Sequence, residues 1–127
     1  MASVLVVDDD SEMRTLLGGM LSLLGHEMSE AENGKQCLTT YQNKPANIVL
    51  LDMFMPVKDG IETIRDLKRH DPNVRVIAMT GGGKYGQVAI LKSAITLGAC
   101  KILYKPITVG ELGTAIERTL AMSTCGM

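Results

Sequence analysis

The strongest constraint on the fold is an alternation of short apolar runs with segments of helical periodicity along the chain. Four runs are strongly apolar, at residues 4–7, 48–53, 74–79 and 100–104, and a weaker one lies at 27–31. Short apolar runs separated by helical segments are typical of βα units, whose parallel strands are buried on both faces. The pattern therefore predicts an α/β fold with a five-stranded parallel sheet covered by helices.

Apolar spacing and capping residues predict five helices. The first has apolar residues at the i, i+3, i+4, i+7 spacing, and the stripe comprises Met13, Leu16, Leu17, Met20, Leu21 and Leu24. Asp10 or Ser11 can cap its start and Gly25 can end it. Weaker helices are predicted at 34–42 and 61–69.

The fourth and fifth helices have clearer signals. The fourth is predicted at 85–97, with Val88, Leu91 and Ile95 in phase. The fifth begins at Thr108, which forms a capping box with Glu111. Its residues predicted to face the core are Leu112, Ala115, Ile116 and Leu120.

The length of 127 residues predicts one domain, since domains run to roughly 100 to 200 residues. We expect a single domain at 1–127 with a core at about 3–122 and a frayed tail at 123–127. No linker, repeat or second domain that could hold an output activity is indicated.

The charge balance excludes some partners. Thirteen basic and 14 acidic residues give a net charge of −1, so the chain lacks the excess of Lys and Arg that neutralises phosphate. We therefore expect no direct binding to nucleic acid and no membrane association. Three widely spaced cysteines without a CxxC pair predict reduced thiols, and the absence of a signal peptide predicts a cytoplasmic location.

Polar residues follow the predicted strands where each one ends. In an open parallel sheet, ligands bind beyond the carboxyl ends of the strands. Asp8 and Asp9 follow the first strand, Asp52 ends the third, Thr80 follows the fourth and Lys105 the fifth. These five residues are therefore the predicted functional set.

The residue types in this set indicate phosphoryl chemistry. Asp10 is explained by a helix N-terminus, which favours negative charge. Asp8 and Asp9 would repel each other unless a hard divalent cation such as Mg2+ bound them. An ionised Asp52 beside that cation can act as a nucleophile toward phosphorus and form an aspartyl phosphate. Lys105 would supply positive charge and Thr80 a hydroxyl for the transferring oxygens.

Four segments in order carry a family resemblance: VVDD at 6–9, LDMFMPVKDG at 51–60, AMTG at 78–81 and YKP at 104–106. Together, at these separations, they resemble the receiver domain of two-component response regulators, the CheY-like superfamily, in a single-domain form. The resemblance covers nearly the whole chain. It implies a flavodoxin-like (βα)5 three-layer sandwich with strand order 2-1-3-4-5.

The resemblance also implies a role for each matching residue. Asp52 becomes the phosphoacceptor, and the Mg2+ ligands become Asp8, Asp9, Asp52 and the backbone carbonyl of Phe54. Thr80, Gly81 and Lys105 become the residues that contact the phosphoryl group or switch with it. The Lys105-Pro106 bond is expected to be cis, and Asp59 and Gly60 are expected to turn the chain into the next helix.

Two departures from the family pattern alter these expectations. Ile102 stands where the family usually has Tyr or Phe as its switch, three residues before the lysine. Tyr104, on the same side of the strand, or Tyr85 could replace that switch, and simple packing is the plainer interpretation. Neither Phe54 nor Gly82, two residues after Asp52 and Thr80, can position water. We therefore hypothesise that shielding by Phe54 controls hydrolysis of the aspartyl phosphate.

The predicted function is a phosphorylation-dependent switch rather than an enzyme with an external substrate. The donor would be a histidine kinase or histidine phosphotransfer protein, and output would be altered partner binding through the face of helix 4, strand 5 and helix 5. The main alternative is a non-phosphorylating pseudo-receiver that acts as an interaction module. A phosphatase of the haloacid dehalogenase type would need Asp where Phe54 stands. A flavin or nucleotide carrier fits poorly with three aspartates after the first strand.

Overall fold

A computed structural model describes residues 1–55, 58–81 and 87–122, and for 87–89 it describes the backbone alone. The strands are β1 Ser3–Val7, β2 Glu27–Ala31, β3 Ile48–Asp52, β4 Val76–Thr80 and β5 Lys101–Tyr104. The helices are α1 Ser11–Leu23, α2 Gly34–Asn43, α3 Gly60–His70, α4 Gln87–Leu97 and α5 Val109–Ala121. Gly82, Tyr85, the predicted start of the fourth helix and the predicted tail at 123–127 lie outside the described residues.

The five strands form one parallel sheet in the order β2-β1-β3-β4-β5. This confirms the predicted α/β class and strand order. Every residue of β3 and β4 is buried, which explains why those two runs are continuously apolar until their final polar residues. The burial is typical of parallel strands that have helices on both faces.

The core consists of two hydrophobic layers, one on each face of the sheet. On one face, residues of α2, α3 and α4 pack against the strands, among them Cys37, Ile64 and Ala94. On the other face, Leu17 of α1 and Ile116 of α5 do the same. The predicted three-layer sandwich is therefore confirmed.

Three residues predicted in apolar stripes are exposed instead: Leu16, Ile95 and Leu120. Each helix packs on the sheet along a narrow face, and successive residues turn by about 100° around the helix axis. Viewed down the helix axis, Leu16 and Leu120 lie at the edge of their stripes, so the sheet does not cover them. In α5, the buried Thr119 lies nearer the centre of the packed face.

The helix boundaries follow the predicted capping residues. Asp10 caps α1 by accepting a hydrogen bond from the Glu12 N–H, and Gly25 follows the helix at a φ of 81°. Thr108 and Glu111 form the predicted capping box at the start of α5. Among the helices of the described residues, none has both the length and the apolar character needed to cross a membrane.

The expectation of reduced thiols is confirmed for Cys37 and wrong for Cys100. Cys37 is free and buried, and burial raises its pKa to about 12, so this thiol is unreactive at neutral pH. Cys100, in contrast, takes part in a disulfide. Spacing in the sequence does not show which sulfur atoms approach each other in space.

Candidate functional site

The strand register brings the predicted residues to one edge of the sheet. Asp52 ends β3 beside Met79 of β4, and Thr80 ends β4 beside Tyr104 of β5. The Lys105 N–H donates to the Thr80 carbonyl at 2.7 Å, which holds the start of the loop after β5 against the end of β4. Backbone pairing therefore sets the positions from which these side chains leave the sheet.

Three carboxylates converge at this edge. One oxygen each from Asp8, Asp9 and Asp52 lies within 4.8 Å of the others. Asp8 and Asp52 are only 1% and 5% exposed, whereas Asp9 is open to solvent. Mg2+ takes oxygen ligands and usually retains several waters. An all-carboxylate set with one open side therefore fits that cation.

Lys105 forms ion pairs with two of the three carboxylates. Its Nζ donates to Asp8 Oδ2 at 2.8 Å and lies 3.6 Å from Asp52 Oδ2. Burial lowers the pKa of Lys105, but the hydrogen bond to Asp8 and the charges of Asp52 and Asp8 outweigh burial and raise it. Lys105 therefore stays protonated at neutral pH and offsets part of the negative charge.

Asp52 has its pKa raised to about 6. Burial is the main cause, since it penalises the charged form, and the charges of Asp8 and Asp9 act in the same direction. Lys105 and a hydrogen bond from the Phe54 N–H, 3.2 Å from Asp52 Oδ1, lower it in part. At neutral pH most of this carboxylate is ionised, as a nucleophile must be.

Every polar group of Asp8 has a hydrogen-bond partner. Its N–H donates to the Ala31 carbonyl at 3.2 Å, and its Oδ1 accepts from the Asp10 N–H at 3.0 Å. Its own carbonyl accepts from Arg14 Nη1 at 2.6 Å. Sequence reasoning missed Arg14, although it is the single base beside seven acids in residues 1–32.

Thr80 ends β4 and Gly81 follows it, at the edge of the sheet that holds the acidic trio. Thr80 is fully buried, and Gly81 is exposed, with nothing within 4 Å of the position that a Cβ would occupy. The loop after β4 therefore starts in open space.

The segment after β3, which directly follows Asp52, lines a largely apolar cavity. Phe54 is 39% exposed and lines a cavity of about 490 Å3 with Met53, Met55, Asp59, Ile61 and Ile90. Asp59 caps α3 by accepting from the Glu62 N–H at 3.0 Å. The buried Gly60 follows at the first position of the helix, and its N–H lies 3.3 Å from the Met53 carbonyl.

The strand β5 presents the two candidate switch residues to one groove. Ile102 is half-buried and packs against the core, and Tyr104 is 56% exposed. Both line a groove of about 500 Å3 together with residues of α4: Leu91, Lys92, Ile95 and Thr96. The predicted alternation is therefore confirmed, and the Lys105-Pro106 bond is cis as expected.

A doubly wound sheet with an acidic trio and a lysine at its carboxyl edge defines a class of α/β phosphoryl-accepting modules. Residues 4–117 match the family model of the response regulator receiver domain. The chain belongs to this family, and it is therefore a module of phosphorylation-based two-component signalling.

Relatives and solved structures agree with this assignment. Sporulation initiation phosphotransferase F of Bacillus subtilis is 34% identical, with 95% of each chain covered. Chemotaxis protein CheY of Thermotoga maritima is 32% identical over 91% of this chain and 94% of its own. A receiver domain protein from Clostridium thermocellum superposes with a TM-score of 0.87 at 29% identity, covering 94% of both chains.

Other relatives are longer than this chain. Regulatory protein AtoC of Escherichia coli is 31% identical over 95% of this chain, but that match covers 26% of AtoC. Transcriptional regulatory protein ZraR of Klebsiella oxytoca is matched over 26% of its length as well. The expectation that this chain binds no nucleic acid therefore stays a prediction.

Proposed function

We propose that Asp52 accepts a phosphoryl group from a phosphohistidine of a histidine kinase or histidine phosphotransfer protein, in a reaction that depends on Mg2+. The observation that carries the proposal is the convergence of Asp8, Asp9 and Asp52 within 4.8 Å, with the Lys105 Nζ 3.6 Å from Asp52. A cytoplasmic location, beside such a donor, is part of the proposal.

The transfer makes one bond and breaks one. A carboxylate oxygen of Asp52 forms the new O–P bond while the P–N bond of the phosphohistidine breaks, and its electron pair returns to the imidazole nitrogen. Such transfers depend mainly on positioning and on neutralising charge. Bound Mg2+, held by Asp8, Asp9, Asp52 and the Phe54 carbonyl, would neutralise charge on the phosphoryl oxygens.

Lys105 and Thr80 supply the rest of the stabilisation. The Lys105 ammonium is already directed at the carboxylates, so it can contact a phosphoryl oxygen with little rearrangement. Thr80 lies at the end of the neighbouring strand and offers a hydroxyl donor. We therefore assign both as phosphoryl contacts, with Gly81 leaving space beside them.

The proposed output is a change in partner binding at the face formed by α4, β5 and α5. The groove between α4 and β5 supports this, because Ile95 and Tyr104 are apolar side chains left exposed there. The backbone pairing of Lys105 with Thr80 links this face to the site. A shift at Thr80 would thus reach Tyr104, which is its register partner.

Phosphorylation by a small-molecule donor tests the proposed reaction. Incubation with a small acyl phosphate and Mg2+ is expected to add one phosphoryl group, detected by intact mass, and Asp52→Asn is expected to abolish it. Asp59→Asn is the matched control, because asparagine caps helices as well as aspartate does. An adduct that forms without Mg2+ or survives Asp52→Asn would refute the proposal, and an unmodified wild-type protein would favour the interaction module.

The second prediction concerns the lifetime of the phosphorylated form. The Phe54 N–H lies 3.2 Å from Asp52 Oδ1, and the Phe54 side chain is 39% exposed. Phe54→Asn therefore replaces an apolar side chain close to the acceptor in the chain with a group that can hold water. We expect dephosphorylation to quicken by about tenfold, which corresponds to roughly 1.4 kcal/mol of barrier. Phe54→Leu, which keeps an apolar side chain, should change the rate much less. Equal rates for Phe54→Asn and wild type would exclude shielding by Phe54.

A further inference from the structure

The side chain of Arg14 joins three elements beside the acidic trio. Its Nη1 donates to the Asp8 carbonyl at 2.6 Å, and its Nε donates to Glu30 Oε1 at 3.0 Å. The side chain is 14% exposed, although it starts from the first turns of a surface helix. Arg14 thus ties α1 both to the end of β1 and to the edge strand β2.

The carbonyl of Asp8 needs such a donor. The parallel ladder between β1 and β3 ends at the pair Val7 and Leu51, so Asp8 lies one residue beyond it. A buried carbonyl without a partner costs about 1 to 3 kcal/mol. Arg14 satisfies this carbonyl and at the same time fixes the peptide that joins Asp8 to Asp9.

Only a guanidinium can make both contacts from this position. Its planar fork presents Nε and Nη1 in a fixed relation, whereas lysine offers one point charge. Glu30 accepts the hydrogen bond from Nε and thereby fixes the plane of the guanidinium group. In that plane Nη1 reaches the Asp8 carbonyl. The ion pair also cancels the Arg14 charge, which would otherwise compete with a bound cation.

We propose that Arg14, oriented by Glu30, is a positioning residue that fixes the metal-binding backbone at Asp8 and Asp9. The proposal rests on the function proposed above, because it gives those two residues a metal to hold. It extends that function to a residue which touches neither the metal nor the phosphoryl group. Outer partners of metal ligands typically change metal affinity by 10- to 100-fold when they are replaced.

The test measures Mn2+ affinity by electron paramagnetic resonance in wild type, Arg14→Lys, Glu30→Ala and the double variant. We expect the dissociation constant to rise about tenfold in Arg14→Lys. The double variant should be no worse than Arg14→Lys alone, because Glu30 acts through Arg14. Arg69→Lys, a change at an exposed arginine far along α3, is the matched control.

A second measurement separates positioning from loss of folding. Thermal unfolding should show Arg14→Lys still folded, and the amide resonances of Asp9 and Asp10 should shift even without metal. Phosphorylation at saturating Mg2+ should recover most of its rate, because affinity is the main property affected. Unchanged Mn2+ affinity and unchanged amide resonances in Arg14→Lys would overturn the inference. A wild type that binds metal but forms no adduct would refute the proposed function and leave the Arg14 result standing.

Discussion

Replacing Asp52 with asparagine will stabilise the metal-free protein at neutral pH by on the order of 2 to 3 kcal/mol, although it removes the proposed phosphoacceptor. Burial raises the pKa of Asp52 from 3.8 to about 6, so the folded protein favours the protonated carboxyl. A tenfold change in the ionisation constant between the unfolded and folded chain corresponds to about 1.4 kcal/mol. Asparagine resembles the neutral form and avoids this cost.

The effect has a defined pH window. Well below pH 3.8 the carboxyl is protonated in both the folded and the unfolded chain, so its titration costs nothing. Between pH 4 and 6 the unfolded chain ionises first, and stability falls as pH rises. Above pH 6 the full cost is present. The gain from Asp52→Asn should therefore be smallest at pH 4 and reach its full value by pH 7.

Urea unfolding in the presence of EDTA, at intervals of one pH unit from 4 to 8, measures this dependence. Asp59→Asn is the control again, because Asp59 is exposed and the variant keeps the helix cap. Equal stability of wild type and Asp52→Asn at pH 7 would contradict the prediction. Addition of Mg2+ should stabilise the wild type more than the variant, since the ion removes the repulsion among the carboxylates.

The sequence predicted the sheet well because its strands are buried on both faces. Continuous apolar runs ending in Asp52 and Thr80 located the carboxyl edge, and parallel order then required those ends to meet. Arg14 was not predicted to contribute, since its contacts run to a backbone carbonyl and to an edge strand. Neither type of contact leaves a periodic signal in the sequence.

The exposed apolar residues show where prediction from the sequence fails. Helical spacing located the stripe of α1, but spacing alone does not say how wide a face the sheet covers, so Leu16 was wrongly placed in the core. The raised pKa of Asp52 was also outside the reach of sequence reasoning, because it depends on burial and on the charges of Asp8 and Asp9, which are 44 and 43 residues away in the chain. Local patterns therefore predicted the elements, while tertiary contacts determined the electrostatics.

Gly60→Ala will destabilise the protein by about 1 to 3 kcal/mol, the usual cost of overpacking a filled interior. An added Cβ at Gly60 would lie 2.7 Å from both the Cα and the Sδ of Met53. The Sδ could move, but the Cα is backbone and directly follows Asp52. Helix α3 must therefore shift away from the end of β3, and phosphorylation of Asp52 should slow as well.

Two other glycines give the matched comparison in the same unfolding experiment. Gly19 is exposed within α1, and an added Cβ would meet nothing within 4 Å, so Gly19→Ala should stabilise by about 0.5 to 1 kcal/mol. An added Cβ at Gly18 would meet only the side chain of Met28, 2.7 Å away at its Sδ. A flexible thioether can give way, so Gly18→Ala should fall between the other two. If Gly60→Ala were as stable as Gly19→Ala, close packing of α3 against Met53 would not be what requires glycine at position 60.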